Sequence, residues 1–256
     1  MSRPGLQHRP SSIAAANKTI ILVTGGNAGI GYEIVKSLSQ SSPSNNYQIL
    51  LGCRDVHKGE DAASSLGAPI NVNPIQLDIE DDRSIQHAFL TIQQIFGKLD
   101  VLINNAGSAA QHLPKESTTL RQKFDHTFSV NVTSQAVLTE RFAPLLEKAK
   151  LPKVIFLSST LGSIETQLQR ERVYPGIWYS SSKSALNALA VWFAKTNPRW
   201  KVNAVCPGMR ATAINGVELT EETDPKLGAV RVVELVAGGP DGVSGTYSNK
   251  DRIIPW

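Results

Sequence analysis

From residue 19 onward, short runs of β-branched and aliphatic residues alternate with longer amphipathic stretches. Ile20 to Thr24, Gln48 to Leu51, Val72 to Leu77, Val101 to Ile103, Val154 to Leu157, Lys201 to Val205 and Gly245 to Tyr247 read as strands. Ile30 to Leu38, Val56 to Leu66, Asp82 to Phe96, Leu120 to Lys148, Tyr179 to Lys195 and Pro225 to Val236 read as helices. Acidic residues at the start of the third helix suit the positive end of its dipole. Pro144 is expected to kink the long fourth helix or restart it as a new first turn. Strands apolar on both faces, alternating with helices, predict a parallel sheet covered on both sides. The expectation is a doubly wound α/β fold in one domain over residues 19–256. No internal repeat and no dividing linker interrupts the pattern.

Composition narrows this picture modestly. At 256 residues with 41% hydrophobic content, the chain has enough apolar matter for one substantial core. The net charge of +4 is mild and its lysines and arginines are scattered, with no run that marks a nucleic-acid or polybasic membrane surface. No apolar stretch is long enough to span a bilayer. Two cysteines, Cys53 and Cys206, each end an apolar run. They read as buried free thiols, which points to a reducing, cytoplasmic setting. The first acidic residue is Glu33, and residues 1–18 carry Arg3, Arg9, Ser11, Ser12 and an alanine run. A transit peptide has that composition, but Pro4, Gly5 and Pro10 break it, and a disordered tail is the expectation.

Two positions carry candidate binding chemistry. The turn from the first strand to the first helix reads Thr24-Gly-Gly-Asn-Ala-Gly-Ile-Gly31. Glycines there let backbone approach a pyrophosphate, which sits on the free amides of a helix N-terminus. Gly25, Asn27, Gly29, Ile30 and Gly31 are the candidate contacts. The second strand then ends in Cys53-Arg54, where NAD sites usually place an acid. A guanidinium there pairs with a 2′-phosphate, so NADP(H) is favoured as the cofactor. Arg54 also has Asp55 and Glu60 nearby in sequence as alternative partners.

The candidate chemistry lies in Tyr179-Ser-Ser-Ser-Lys183. A phenol is a poor acid or base at neutral pH, and an ammonium at i+4 on the same helix face favours its phenolate. Such a pair passes a proton to or from a substrate oxygen. The same spacing also occurs where a tyrosine merely packs on a lysine stem.

With these elements placed, the chain resembles the short-chain dehydrogenase/reductase superfamily, and within it most closely the NADPH-dependent carbonyl reductases. Further motifs follow in the family's order: Asp78 ends the third strand, Asn104-Asn-Ala-Gly107 the fourth, Asn131-Val132 lies in the long helix, Ser158-Ser159 follows the fifth strand, and Pro207-Gly208 with Thr212 follow the sixth. The Gly52 to Glu60 segment and the tail ending in Trp256 also resemble those reductases. The resemblance implies a Rossmann-type domain with a mainly parallel seven-stranded sheet. It implies Asn131, Ser159, Tyr179 and Lys183 as catalytic residues. It adds Asp78 at the adenine amine, Asn105, Pro207 and Gly208 along the cofactor, and Thr212 at the nicotinamide carboxamide; Tyr179 and Lys183 also meet the cofactor. Tyr179 would be the general acid, Lys183 would lower its pKa and bond the nicotinamide ribose, Ser159 would hold the carbonyl oxygen, and Asn131 would position a water linking Lys183 to solvent. Ser159 is preferred to Ser158 because the family keeps its serine three residues before a glycine, here Gly162.

Ala28 departs from the pattern, since many NADPH-dependent members carry Lys or Arg there, and this leaves Arg54 as the main determinant. The Ser159–Tyr179 interval is also longer than usual. Its extra residues, Gln167 to Trp178, would lie beside the substrate mouth, with Tyr174, Ile177 or Trp178 lining it. Met209 to Asp224 reads as a mobile lid. The expected ligand is a small carbonyl or alcohol, with no metal, nucleic acid or membrane involved. A homodimer, a homotetramer and a monomer all accord with the resemblance. An oxidative alcohol or hydroxysteroid-type dehydrogenase, and a non-catalytic NADP-sensing protein, are the competing readings.

Overall fold

A computed structural model describes residues 18–41, 46–114 and 116–256. The expected tail lies outside the described residues except for Lys18. The strands are β1 (Thr19–Thr24), β2 (Tyr47–Cys53), β3 (Val72–Gln76), β4 (Val101–Asn104), β5 (Lys153–Leu157), β6 (Lys201–Val205) and β7 (Thr246–Ser248). They form one seven-stranded sheet in the order β3-β2-β1-β4-β5-β6-β7. Every pairing is parallel.

Alternation along a strand sends neighbouring side chains to opposite faces. In β1, Ile20 and Leu22 join one core cluster, while Ile21 and Val23 join the other. The first cluster is closed by α3 (Asp82–Phe96), α5 (Ser134–Leu146) and α7 (Ile177–Thr196), through Phe89, Phe142 and Phe193. The second is closed by α1 (Gly29–Ser39), α2 (Val56–Ser65) and α8 (Lys226–Ala237), through Val35, Ala62 and Val232. Chain order runs outward from β1 in both directions. This creates a crevice at the carboxyl ends of β1 and β4, where open α/β sheets bind ligands.

Local differences from the sequence pattern are informative. The Leu120–Lys148 stretch is α4 (Leu120–Phe128), a π-helical turn (Ser129–Thr133) and α5. Pro144 neither breaks nor restarts α5 and sits in its last turn. After β5 the chain adds a 3₁₀ turn (Thr160–Gly162) and a short helix α6 (Ile164–Leu168), which periodicity did not reveal. Trp256 returns to stack on Tyr247, with centroids 5.5 Å apart.

Candidate active site

The glycine turn after β1 is shaped by close approach. A Cβ at Gly31 would lie 2.2 Å from the Gly25 carbonyl oxygen and 2.5 Å from Asn105 Nδ2. Gly25 and Gly29 hold φ of 63° and 54°, the left-handed region that glycine tolerates best. Asn105 pins the turn from β4 by donating Nδ2 to the carbonyls of Thr24 (2.8 Å) and Gly25 (3.2 Å). Thr24 Oγ1 accepts from the amides of Asn105 and Ala106. Asn105 thus supports the turn as much as it lines the crevice. Ala28 precedes α1 with no side-chain cap, so the first amides of that helix face the crevice without a capping side chain.

The crevice is a cleft of about 420 Å³. Of the residues singled out in the sequence, Gly25, Asn27, Gly29, Ile30, Gly31, Arg54, Asp78, Asn105, Tyr179, Lys183, Pro207, Gly208 and Thr212 all line it. Arg54 is exposed at its β2 end. Its two sequence-local alternatives are engaged elsewhere. Asp55 caps α2 by accepting from the His57 amide, and Glu60 pairs with His57 Nδ1 at 3.1 Å. Arg54 forms no ion pair with any described acidic residue. A tight glycine turn, helix amides and an unpaired guanidinium together fit a phosphorylated dinucleotide.

The chemical end lies where β5, the π turn and α7 meet. Tyr179 and Lys183 share one face of α7, as their spacing predicts. Lys183 is buried and donates Nζ to the Leu157 carbonyl at 2.7 Å. Its ammonium lies 5.7 Å from the Tyr179 ring centroid. Burial pulls the Lys183 pKa down to about 8. Burial pushes the Tyr179 phenol up from its ordinary value, with Cys206 and Tyr174 adding to the rise, and a hydrogen bond with Ser159 opposing it. Burial thus sets the direction of the Tyr179 shift, and the opposing contact comes from Ser159 rather than Lys183.

The two serines after β5 have opposite surroundings. Ser158 is buried and donates Oγ to Asn187 Oδ1 at 2.5 Å. Ser159 Oγ accepts from the Leu161 amide at 3.2 Å and meets the Tyr179 hydroxyl. Gly162 explains the spacing that favoured Ser159. A Cβ there would lie 2.6 Å from the Lys183 carbonyl carbon, so only glycine lets the 3₁₀ turn press onto α7. Ser184 and Asn187 both donate to the Gly162 carbonyl.

Asn131 sits within the π turn, fully buried. Its amide clasps Ser108, accepting from the backbone N–H and donating to the carbonyl, each at 2.8 Å, and it also donates to Ser182 Oγ at 3.0 Å. Every polar atom of this side chain is thereby engaged by protein, which makes it a clasp on the loop after β4. Gly107 leaves the space between them: a Cβ there would lie 3.2 Å from Asn131 Oδ1 and 3.5 Å from Lys183 Nζ.

Other expected positions differ. Trp178 turns its indole N–H to the Ala109 carbonyl (3.0 Å) with Lys123 over its ring, and neither it, Tyr174 nor Ile177 lines the cleft. The Met209–Asp224 segment is folded on itself: Arg210 donates to the Glu222 carbonyl, and the Ala211 amide to that of Thr223. Ser108, Gln111, His112 and Arg210, from the 108–118 and 209–224 loops that the sequence places around a substrate pocket, also line the cleft, as does His126, which sequence reasoning missed. Only the folded chain brings His126 of α4 to the loop after β4.

The family model for short chain dehydrogenases matches residues 19–223. The short-chain dehydrogenase/reductase ATR10 of Stachybotrys chlorohalonatus is 32% identical, over 96% of this chain and 97% of its own. Salutaridine reductase from Papaver somniferum is 30% identical, over 88% and 92%. Among solved structures, the NADPH-bound carbonyl reductase from chicken fatty liver superposes with a TM-score of 0.80 at 25% identity, over 92% of this chain and 98% of that one. The chain belongs to the short-chain dehydrogenase family. It is accordingly an oxidoreductase of CH–OH and C=O groups.

Proposed function

We propose that this protein reduces the carbonyl of a ketone or aldehyde to the alcohol, with NADP(H) as its cofactor. The observation that carries the reading is the convergence of Tyr179 and Lys183 on one cleft that also presents the unpaired Arg54, with Ser159 beside the phenol. The chemistry NADPH supplies when bound is hydride delivery to the carbonyl carbon. Gly25, Asn27, Gly29, Ile30 and Gly31 would hold the pyrophosphate, Arg54 the 2′-phosphate and Asp78 the adenine amine. Asn105, Pro207, Gly208 and Thr212 would hold the remainder.

Tyr179 donates its proton to the carbonyl oxygen as that oxygen gains charge. Ser159 stabilises the same developing charge with a fixed hydrogen bond, as an oxyanion donor does. Lys183 carries its positive charge behind the phenol at neutral pH, which favours the phenolate left after transfer. Asn131 positions the loop from Gly107 to Ser108 against Lys183. The same residues serve alcohol oxidation, and the reductive direction follows from a largely reduced NADP pool, which Arg54 would select. Two free buried thiols support a reducing, cytoplasmic setting.

The test follows NADPH oxidation spectroscopically against a panel of aldehydes, ketones and quinones. Turnover of at least one carbonyl, with NADPH preferred to NADH, supports the reading. Alcohol oxidation with no carbonyl reduced at any pH refutes it.

A further inference from the structure

We propose that His112 and His126 form a second, proton-linked anion-binding element of the cofactor cleft. The pair takes up a proton as the phosphates of the dinucleotide enter. The inference rests on the reading that NADP(H) occupies this cleft.

The two imidazoles pack edge to face, with centroids 4.7 Å apart and planes 79° apart. His112 belongs to the loop after β4 and His126 to α4, and both line the cleft together with Arg54, Asp78 and Glu80. The pair therefore shares a wall with the guanidinium assigned to the 2′-phosphate. The other arginine lining the cleft, Arg210, gives Nη1 to the Met209 and Glu222 carbonyls, while its buried Nε has no hydrogen-bond partner among the described residues. Lys183 is occupied by the Leu157 carbonyl at the far, chemical end. Arg54 is the exposed guanidinium of the cleft, and it lies close enough to His126 to act on its charge. A dinucleotide phosphate cluster holds more negative charge than one guanidinium offsets.

The hydrogen bonding accommodates either protonation state. His126 Nε2 lies 2.9 Å from Ser108 Oγ. That hydroxyl already accepts from the Ala110 amide at 3.0 Å, and Gln111 Oε1 lies 3.5 Å away. A neutral imidazole takes the Ser108 proton at Nε2. A charged one donates from Nε2, and the hydroxyl proton turns towards Gln111. No buried donor or acceptor is stranded by the change. Ser108 is itself clasped through its backbone by Asn131, so the switchable contact sits on a fixed loop.

The charges facing the pair set its resting state. Arg54 comes from the end of β2 and Glu80 from the turn after β3. Burial, the neighbouring His112 and Arg54 all disfavour the His126 cation, while Glu80 favours it. These surroundings favour the neutral form of His126. An entering phosphate reverses the local sign and makes the imidazolium favourable. By linkage, binding then strengthens as pH falls.

The experiment uses the full chain and 2′,5′-ADP, which carries the phosphates without the nicotinamide. Histidine C2–H resonances are titrated by NMR with and without this probe, and His112→Gln and His126→Gln assign the pair. Glutamine keeps a donor and an acceptor for Ser108. The expected result is that saturating 2′,5′-ADP raises the titration midpoints of the pair, with binding about tenfold tighter at the acidic than at the alkaline limit. Isothermal titration calorimetry in buffers of different ionisation heat should show proton uptake greater in the wild type than in His126→Gln. The comparison with the variant cancels the titration of the probe's own phosphates. Unchanged midpoints on saturation, or variants with the wild-type pH dependence of affinity, would overturn the proposal. Failure of 2′,5′-ADP to bind wild type at any pH would refute the cofactor reading, and this inference with it.

Discussion

Adjacent serines after β5 should separate stability from catalysis when each is replaced by alanine. Ser158 Oγ is buried and bonded to Asn187 Oδ1 at 2.5 Å. Ser158→Ala leaves that amide oxygen without its donor inside the core, a loss of about 1–3 kcal/mol. For a domain of this size, each kcal/mol lowers Tm by about 2–4 °C. Asn187 still donates to the Gly162 carbonyl, so the 3₁₀ turn keeps its hold on α7 and turnover should persist. Ser159 is only partly buried, and its structural duty is one contact with the Leu161 amide. Ser159→Ala should therefore lower Tm little, while removing a donor to the carbonyl oxygen, which costs about 10²–10³ in kcat. Thermal melts and steady-state kinetics on both variants read the two effects separately. If Ser158→Ala lost more kcat than Ser159→Ala, the assignment of Ser159 to the reacting oxygen would be wrong.

Three further outcomes follow. Arg54→Ala should raise the NADPH Kd by about ten- to a hundredfold, the loss of one charged hydrogen bond, and leave that for NADH nearly unchanged, measured by fluorescence titration; equal effects would refute the 2′-phosphate assignment. Gly31→Ala forces a Cβ to 2.2 Å from the Gly25 oxygen, so NADPH binding should fail and stability drop by about 1–3 kcal/mol; a variant that melts and binds normally would contradict the close-approach argument. Lys183 keeps its charge below its lowered pKa of about 8 and loses it above, so kcat/KM for reduction should fall as pH rises through that value. A profile flat through that pH would remove the role given to the ammonium.

The architecture was legible because each strand is short, apolar on both faces and bounded by polar or glycine-rich turns. The candidate cofactor residues all border one cleft, because motif order places them at strand ends. What stayed hidden depended on tertiary contacts. Asn131 was placed in the long helix by motif order, but the π turn that houses it leaves no periodic signature in so short a span. Trp178 looked like a substrate contact, yet its indole is consumed by the Ala109 carbonyl. The His112–His126 pair joins a loop to a helix across a packed interface, and nothing in either segment announces the other. Spacing alone could not weigh Lys183 against burial at Tyr179, since burial depends on the packed elements around the phenol.

The proton on Tyr179 is the centre of the account, and Tyr179→Phe tests it most directly. The substitution removes the hydroxyl and keeps the ring that packs beside Lys183. NADPH affinity by fluorescence titration and single-turnover NADPH oxidation should be measured on the same preparation with a carbonyl that the wild type reduces. The account predicts near-normal NADPH binding and a hydride-transfer rate lower by about 10²–10⁴. A variant that binds NADPH and reduces the carbonyl at the wild-type rate would contradict it.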